Sequence, residues 1–88
     1  MSSVYRKHPL TAGRLVDGLA FVVTAEDNKL HTLNDTASHL WQLCDDGLTV
    51  EAAAESLVES FDVALTTARN DARECLDELV SRDILTIE

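Results

Sequence analysis

The sequence predicts an α+β domain in which a small three-stranded antiparallel sheet is followed by three α-helices. Three observations lead to it. Residues Leu19 to Leu33 carry strand-type side chains, the apolar spacing switches to a helical period at Leu33, and helix start and stop signals then recur to the end of the chain.

Taken in order, residues 1 to 14 contain Pro9 and Gly13 with no sustained period. They read as an extended N-terminal arm, with a short strand expected near Leu15 and Val16, and residues 15 to 88 read as the single domain. LAFVVT at Leu19 to Thr24 is rich in β-branched and aromatic residues, and after the polar EDN the chain resumes as KLHTL, alternating polar with apolar. This is a hairpin with its tip at Glu26 to Asn28.

Asn34 or Asp35 can cap the first helix by accepting a hydrogen bond from a free backbone N–H, and Ala37, Leu40, Trp41 and Cys44 follow at i, i+3, i+4 and i+7. Gly47 is placed to end that helix in the left-handed conformation. Thr49 caps the second, with Glu51 in a first turn where the helix dipole favours an anion. Its apolar positions are Val50, Ala53, Ala54, Leu57, Val58 and Phe61. A third helix begins around Leu65 to Thr67 and runs to about Arg82, with Leu65, Ala68, Ala72, Cys75, Leu76, Leu79 and Val80 on its apolar side. ILTI at the end can add a last short strand. Helices gathered on one side of a small sheet make a domain of winged-helix type.

Composition narrows the function. At 88 residues with 45% apolar and 5% aromatic content, the chain makes one small core with few large anchors. No stretch approaches the roughly 20 apolar residues of a membrane span, and MSSVYRKHPL lacks the apolar core of a secretory signal, so a cytoplasmic protein with no membrane partner is expected. The net charge of −9 is uneven: 13 acidic and 3 basic residues from position 34 onward, against 3 acidic and 4 basic before it. Such a field repels phosphate backbones, so no nucleic-acid partner is expected.

Catalytic and metal signatures are missing. His8, His31, His39, Cys44 and Cys75 show no recognised ligand spacing, and His39 and Cys44 lie about 140° apart around a helix. No G-x-S-x-G or phosphate-cradling glycine loop occurs, and the two cysteines read as small buried hydrophobes. Glu55, Ser56 and Leu57 resemble the attachment string of an acyl carrier but fall in mid-helix. The expectation is a non-enzyme with no metal and no cofactor.

LNDTASHLWQLCDDGLTVEA followed by FDVALTTARNDARECLDELVSRDIL closely resembles the PqqD family. That family's pattern is L-N-x-T-A, an apolar helix ending in D-G, T-V near the second helix start, and D-x-x-x-F-L-x-x-L near the end. The likeness spans residues 19 to 85. It implies a winged-helix-like fold and a peptide chaperone, or recognition element, for ribosomally made, post-translationally modified peptides. Such a protein binds the leader of a precursor peptide and presents it to a modifying enzyme, often of the radical SAM type; the founding member serves pyrroloquinoline quinone assembly.

By the same resemblance the leader lies between the strand Lys29, Leu30, His31, Thr32 and Leu33 and the side of the last helix bearing Asp71, Cys75, Glu78, Leu79 and Arg82. KLHTL would lie at a sheet edge, where unpaired N–H and C=O groups can accept an added strand. Acidic residues beside it favour a leader or enzyme surface carrying Lys or Arg. Cys75 stands where the family commonly has Phe or Leu, and Asp83 where it has Gly. A monomer or a homodimer is compatible with this arrangement. The alternative reading is a winged-helix regulatory module that binds protein or nucleic acid.

Overall fold

The computed structural model describes residues 3–88 and runs β1 (Tyr5–Lys7), β2 (Thr11–Val16), β3 (Leu19–Thr24), β4 (Lys29–Thr32), α1 (Asp35–Gln42), α2 (Val50–Ser60), α3 (Leu65–Ser81) and β5 (Leu85–Ile87). Strands β2, β3 and β4 form an antiparallel sheet in that order, and β1 pairs with β5 in a second, two-stranded one. The three-stranded sheet and three helices are the expected α+β arrangement. Both β2 and β4 are edges.

Two parts of the sequence reading need correction. The N-terminal segment is no separate arm, although its Met1 and Ser2 lie outside the described residues. Tyr5 pairs with Ile87 and Lys7 with Leu85, while Tyr5 N–H and C=O also exchange 2.8 Å hydrogen bonds with Leu48. The segment is thus stitched between the α1–α2 loop and the C-terminal strand. Strand β2 reaches back to Thr11 because Asp17 (φ 53°) and Gly18 (φ 82°) make a two-residue turn with positive φ at both positions, matching the twist of the flanking strands.

The first helix also stops sooner, at Gln42. Leu43 N–H and Cys44 N–H turn back to Leu40 and Trp41 carbonyls at 3.1 Å, and Cys44 C=O accepts from Lys7 N–H at 3.3 Å. Pairing with β1 therefore captures the chain before Gly47, whose φ of 97° serves the following loop. The caps stand as expected: Asn34 accepts from Ala37 N–H at 2.8 Å and Thr49 from Ala52 N–H at 3.1 Å. At the far end of α3, Asp83 takes the left-handed conformation (φ 61°) without being glycine. That is the geometry the usual glycine would supply.

The core lies between one face of the sheet and the helices. Ala20 and Val22 of β3 are fully buried against Leu40 and Trp41 of α1, together with Leu57, Leu76, Ile84 and Leu85. Fully buried alanines at 53, 54, 68 and 72 let α2 and α3 approach closely. Trp41 packs beneath Gly13: a Cβ built there would lie 2.5 Å from the indole Cζ2. Lys7 also covers the ring, with Nζ 3.8 Å from its centroid and 2.7 Å from the Asp45 carboxylate.

Ser38 ties helix to sheet. Its hydroxyl accepts from Ala20 N–H at 2.8 Å and donates to Leu33 C=O at 3.1 Å, while Leu33 N–H bonds directly to Ala20 C=O at 2.9 Å. The side chain is completely buried. Tyr5 ties β1 to α3, donating from its hydroxyl to Asp77 at 2.6 Å. Burial, the bond to Asp77 and that carboxylate's charge push the phenol up to about 12.

Two outcomes are expected. Ser38→Ala leaves a buried donor and acceptor short of their partner and should cost about 1–3 kcal/mol in urea unfolding. Because the Tyr5 phenol is raised above its unfolded value, its contribution is complete below pH 10 and is lost as pH rises toward 12. Tyr5→Phe should flatten the fall in melting temperature across that window.

Candidate functional site

The end of β4 and the outward flank of α3 enclose a groove of about 420 Å³. Its strand wall is Thr32, Leu33 and Asn34; Thr36 and Ala37 of α1 close one end. The helix wall is a stripe at i, i+3, i+4, i+7, i+8 and i+11 formed by Asp71, Glu74, Cys75, Glu78, Leu79 and Arg82. A neighbouring stripe of the same helix, Ala68, Ala72 and Leu76, is wholly buried. The amphipathic period of α3 therefore sends one stripe into the core and the adjoining stripe into the groove.

Of the expected positions, Thr32, Leu33, Asp71, Cys75, Glu78, Leu79 and Arg82 come together here. Leu33 and Leu79 are 3% exposed and belong to the core, so they form the groove's floor. Lys29, Leu30 and His31 do not line it. Lys29 sits at the hairpin end, and His31 is half-buried with its Nε2 3.4 Å from Thr24 Oγ1. Leu30 pairs with Val23 and is 63% exposed on the face of the sheet turned away from the helices, so its side chain is neither groove nor core.

Asn34, Thr36, Ala37 and Glu74 were not expected in the site. Glu74 was readable, since it lies three residues after Asp71 and four before Glu78 on one helical stripe. The other three belong to the capping motif, whose spacing announces only a helix start.

The backbone of β4 adds a second feature. Leu33 and Ala20 are a hydrogen-bonded pair, and antiparallel ladders alternate such pairs, so His31 and Lys29 also direct their N–H and C=O toward β3. The N–H and C=O groups of Leu30 and Thr32 therefore face outward. They form a free edge running into the mouth of the groove.

Electrostatically the groove is acidic. Asp71, Glu74 and Glu78 rim it, and Arg82 is turned toward Glu78 with Nη2 2.8 Å from Oε1. Burial and the neighbouring Glu78 and Asp71 push the Cys75 thiol up to about 11. It stays protonated at neutral pH and behaves as a small apolar surface, which suits a floor and does not suit a nucleophile. Among the described residues no group of three or more His, Cys, Asp or Glu is placed to hold a metal ion, and no helix is long and apolar enough to cross a membrane.

The family model described as Coenzyme PQQ synthesis protein D (PqqD) matches residues 20–85. No curated protein matches the sequence. Two solved structures share the fold. One is TbiB1 in complex with the TbiA(beta) leader peptide, 18% identical over 91% of this chain and 93% of that one, with a TM-score of 0.83. The other is lasso peptide synthetase B1 complexed with the leader peptide, 22% identical over 93% and 96% of the two chains, with a TM-score of 0.81.

The raised Cys75 thiol predicts slow chemistry. At pH 8 its alkylation by iodoacetamide, followed by mass spectrometry, should run about a hundredfold slower than that of an unperturbed thiol, because the thiolate fraction falls tenfold per pKa unit.

Proposed function

The chain belongs to the PqqD family, and from that premise we propose that it is a non-catalytic peptide chaperone. It binds the leader of a ribosomally synthesised precursor by strand addition and presents it to a modifying enzyme, often of the radical SAM type. The observation that carries the reading is the outward edge of β4 opening into a groove walled by α3. Main-chain bonds to Leu30 and Thr32 supply affinity that tolerates sequence variation. The apolar floor of Leu33, Cys75 and Leu79 and the rim of Asp71, Glu74 and Glu78 select side chains, favouring apolar and cationic ones. Both fold neighbours were solved with a leader peptide bound, which supports the same use of the fold here.

A cytoplasmic setting fits the role, where precursor and enzyme are made. The nucleic-acid alternative is disfavoured by the net charge of −9 and by the acids on the flank of α3 that a DNA reader would make basic. Nothing in the groove selects a product, so pyrroloquinoline quinone is one of several outcomes such a chaperone can serve.

The test is a fluorescence-anisotropy titration with the leader segment of any short precursor that sequencing finds encoded beside this gene. Thr32→Pro removes an outward N–H from an edge strand without breaking the pairing to β3 and should weaken binding at least about tenfold with the fold intact by circular dichroism. Asp71→Lys combined with Glu74→Lys should weaken a Lys- or Arg-bearing leader and reduce its sensitivity to salt. Binding unchanged by all of these substitutions would remove the groove from the function.

A further inference from the structure

The groove takes up only one side of a strand added to β4. In any β-strand successive side chains point to opposite faces, so a bound leader that sends alternate residues toward α3 must send the others to the far face of the sheet. That far face is apolar and uncovered. It holds a shallow cleft of about 420 Å³ lined by Ala12, Arg14, Val16, Phe21, Val23 and Leu30 among others.

Cross-strand register turns this face into rows. Ala12 pairs with Val23 and Val23 with Leu30; Arg14 pairs with Phe21 and Phe21 with Thr32. Each row ends at β4, at one of the two residues whose N–H and C=O face outward. A leader residue hydrogen-bonded to Leu30 therefore lies directly opposite it, with its side chain on the same face at about 4.5–5.5 Å between Cβ atoms. Among the described residues Leu30 has the largest exposure of the exposed large hydrophobics, at 63%, and it ends the wholly apolar row. The next row ends at Thr32, where the uncharged hydroxyl tolerates either class of side chain.

We propose that this outer sheet face is a second specificity surface for the leader, read by Leu30 at the end of the Ala12–Val23–Leu30 row. The inference rests on leader binding at the β4 edge and adds its pattern. The preferred ligand is an amphipathic extended peptide with an apolar residue opposite Leu30. The neighbouring residues, of opposite parity, point toward α3 and are cationic or small, to suit the acidic rim and apolar floor.

The experiment uses a random dodecapeptide library displayed on phage, selected in parallel on the wild-type chain, Leu30→Glu and Thr32→Pro. Wild type should enrich peptides of period two, apolar at one parity and Lys-, Arg- or small-residue-rich at the other. Leu30→Glu, a change at an exposed position, should shift the apolar parity toward Lys and Arg by about two- to fivefold while leaving the other parity unchanged. If the enriched peptides are lost on Thr32→Pro yet keep the same pattern on Leu30→Glu, the outer-face reading falls and leader binding at the edge stands. If no peptides are enriched, or if Thr32→Pro retains them all, both readings fall.

Discussion

A free sheet edge is useful only if it is held straight and open, and in this protein that duty falls on the hydroxyl of Ser38. It sits between Ala20 N–H and Leu33 C=O, at the point where β4 hands over to α1. Without that hydroxyl the Ala20 N–H and the Leu33 C=O would lose their buried partner, and the helix would lose its side-chain link to the strand. With it, the last rung of the sheet and the first turn of the helix are one hydrogen-bonded unit. Asn34, one residue beyond Leu33, caps the same helix. The strand that offers its outer edge is therefore clamped on its inner edge and at its C-terminal end, so that order on one side leaves the other side free.

The remainder of the fold fixes the distance between this strand and α3. Buried alanines bring α2 against α3, Tyr5 reaches from β1 to Asp77, and the β1–β5 pair closes the chain ends behind the helix. None of these contacts touches the groove. They set its width, and with it whether an extended chain fits between Thr32 and the Asp71–Arg82 stripe. Cys75 then decides depth, since a protonated thiol of small volume leaves space where a larger apolar side chain would fill the floor.

Some of this was legible in residues alone. The period change at Leu33, the caps at Asn34 and Thr49, and the apolar face of α3 are local, because each follows from propensity and spacing within a few turns. Strand β2 was only half legible: Asp17–Gly18 is a strong turn signal, but Thr11 to Arg14 carry no alternation, since Gly13 is held by the approach of Trp41 from another part of the chain. The early end of α1, where Cys44 meets Lys7, and the capture of Tyr5 by both Leu48 and Ile87 depend on partners far away in sequence. Local pattern carries no trace of them.

For the site, the sequence by itself determined which helix stripe is polar and acidic, because helical spacing places Asp71, Glu74, Cys75 and Glu78 together regardless of context. It also determined, through the family motif, that KLHTL precedes the first cap. Only the tertiary structure decided which way that strand faces. Period two offers two choices of face for Leu30, and the choice was made by the register with β3, where Val22 took the core side opposite His31 and left Leu30 beside Val23 on the open side. A single-residue slip would have exchanged the two faces, and hydrophobicity alone cannot say which leucine the core accepts when Leu33 is available to fill it.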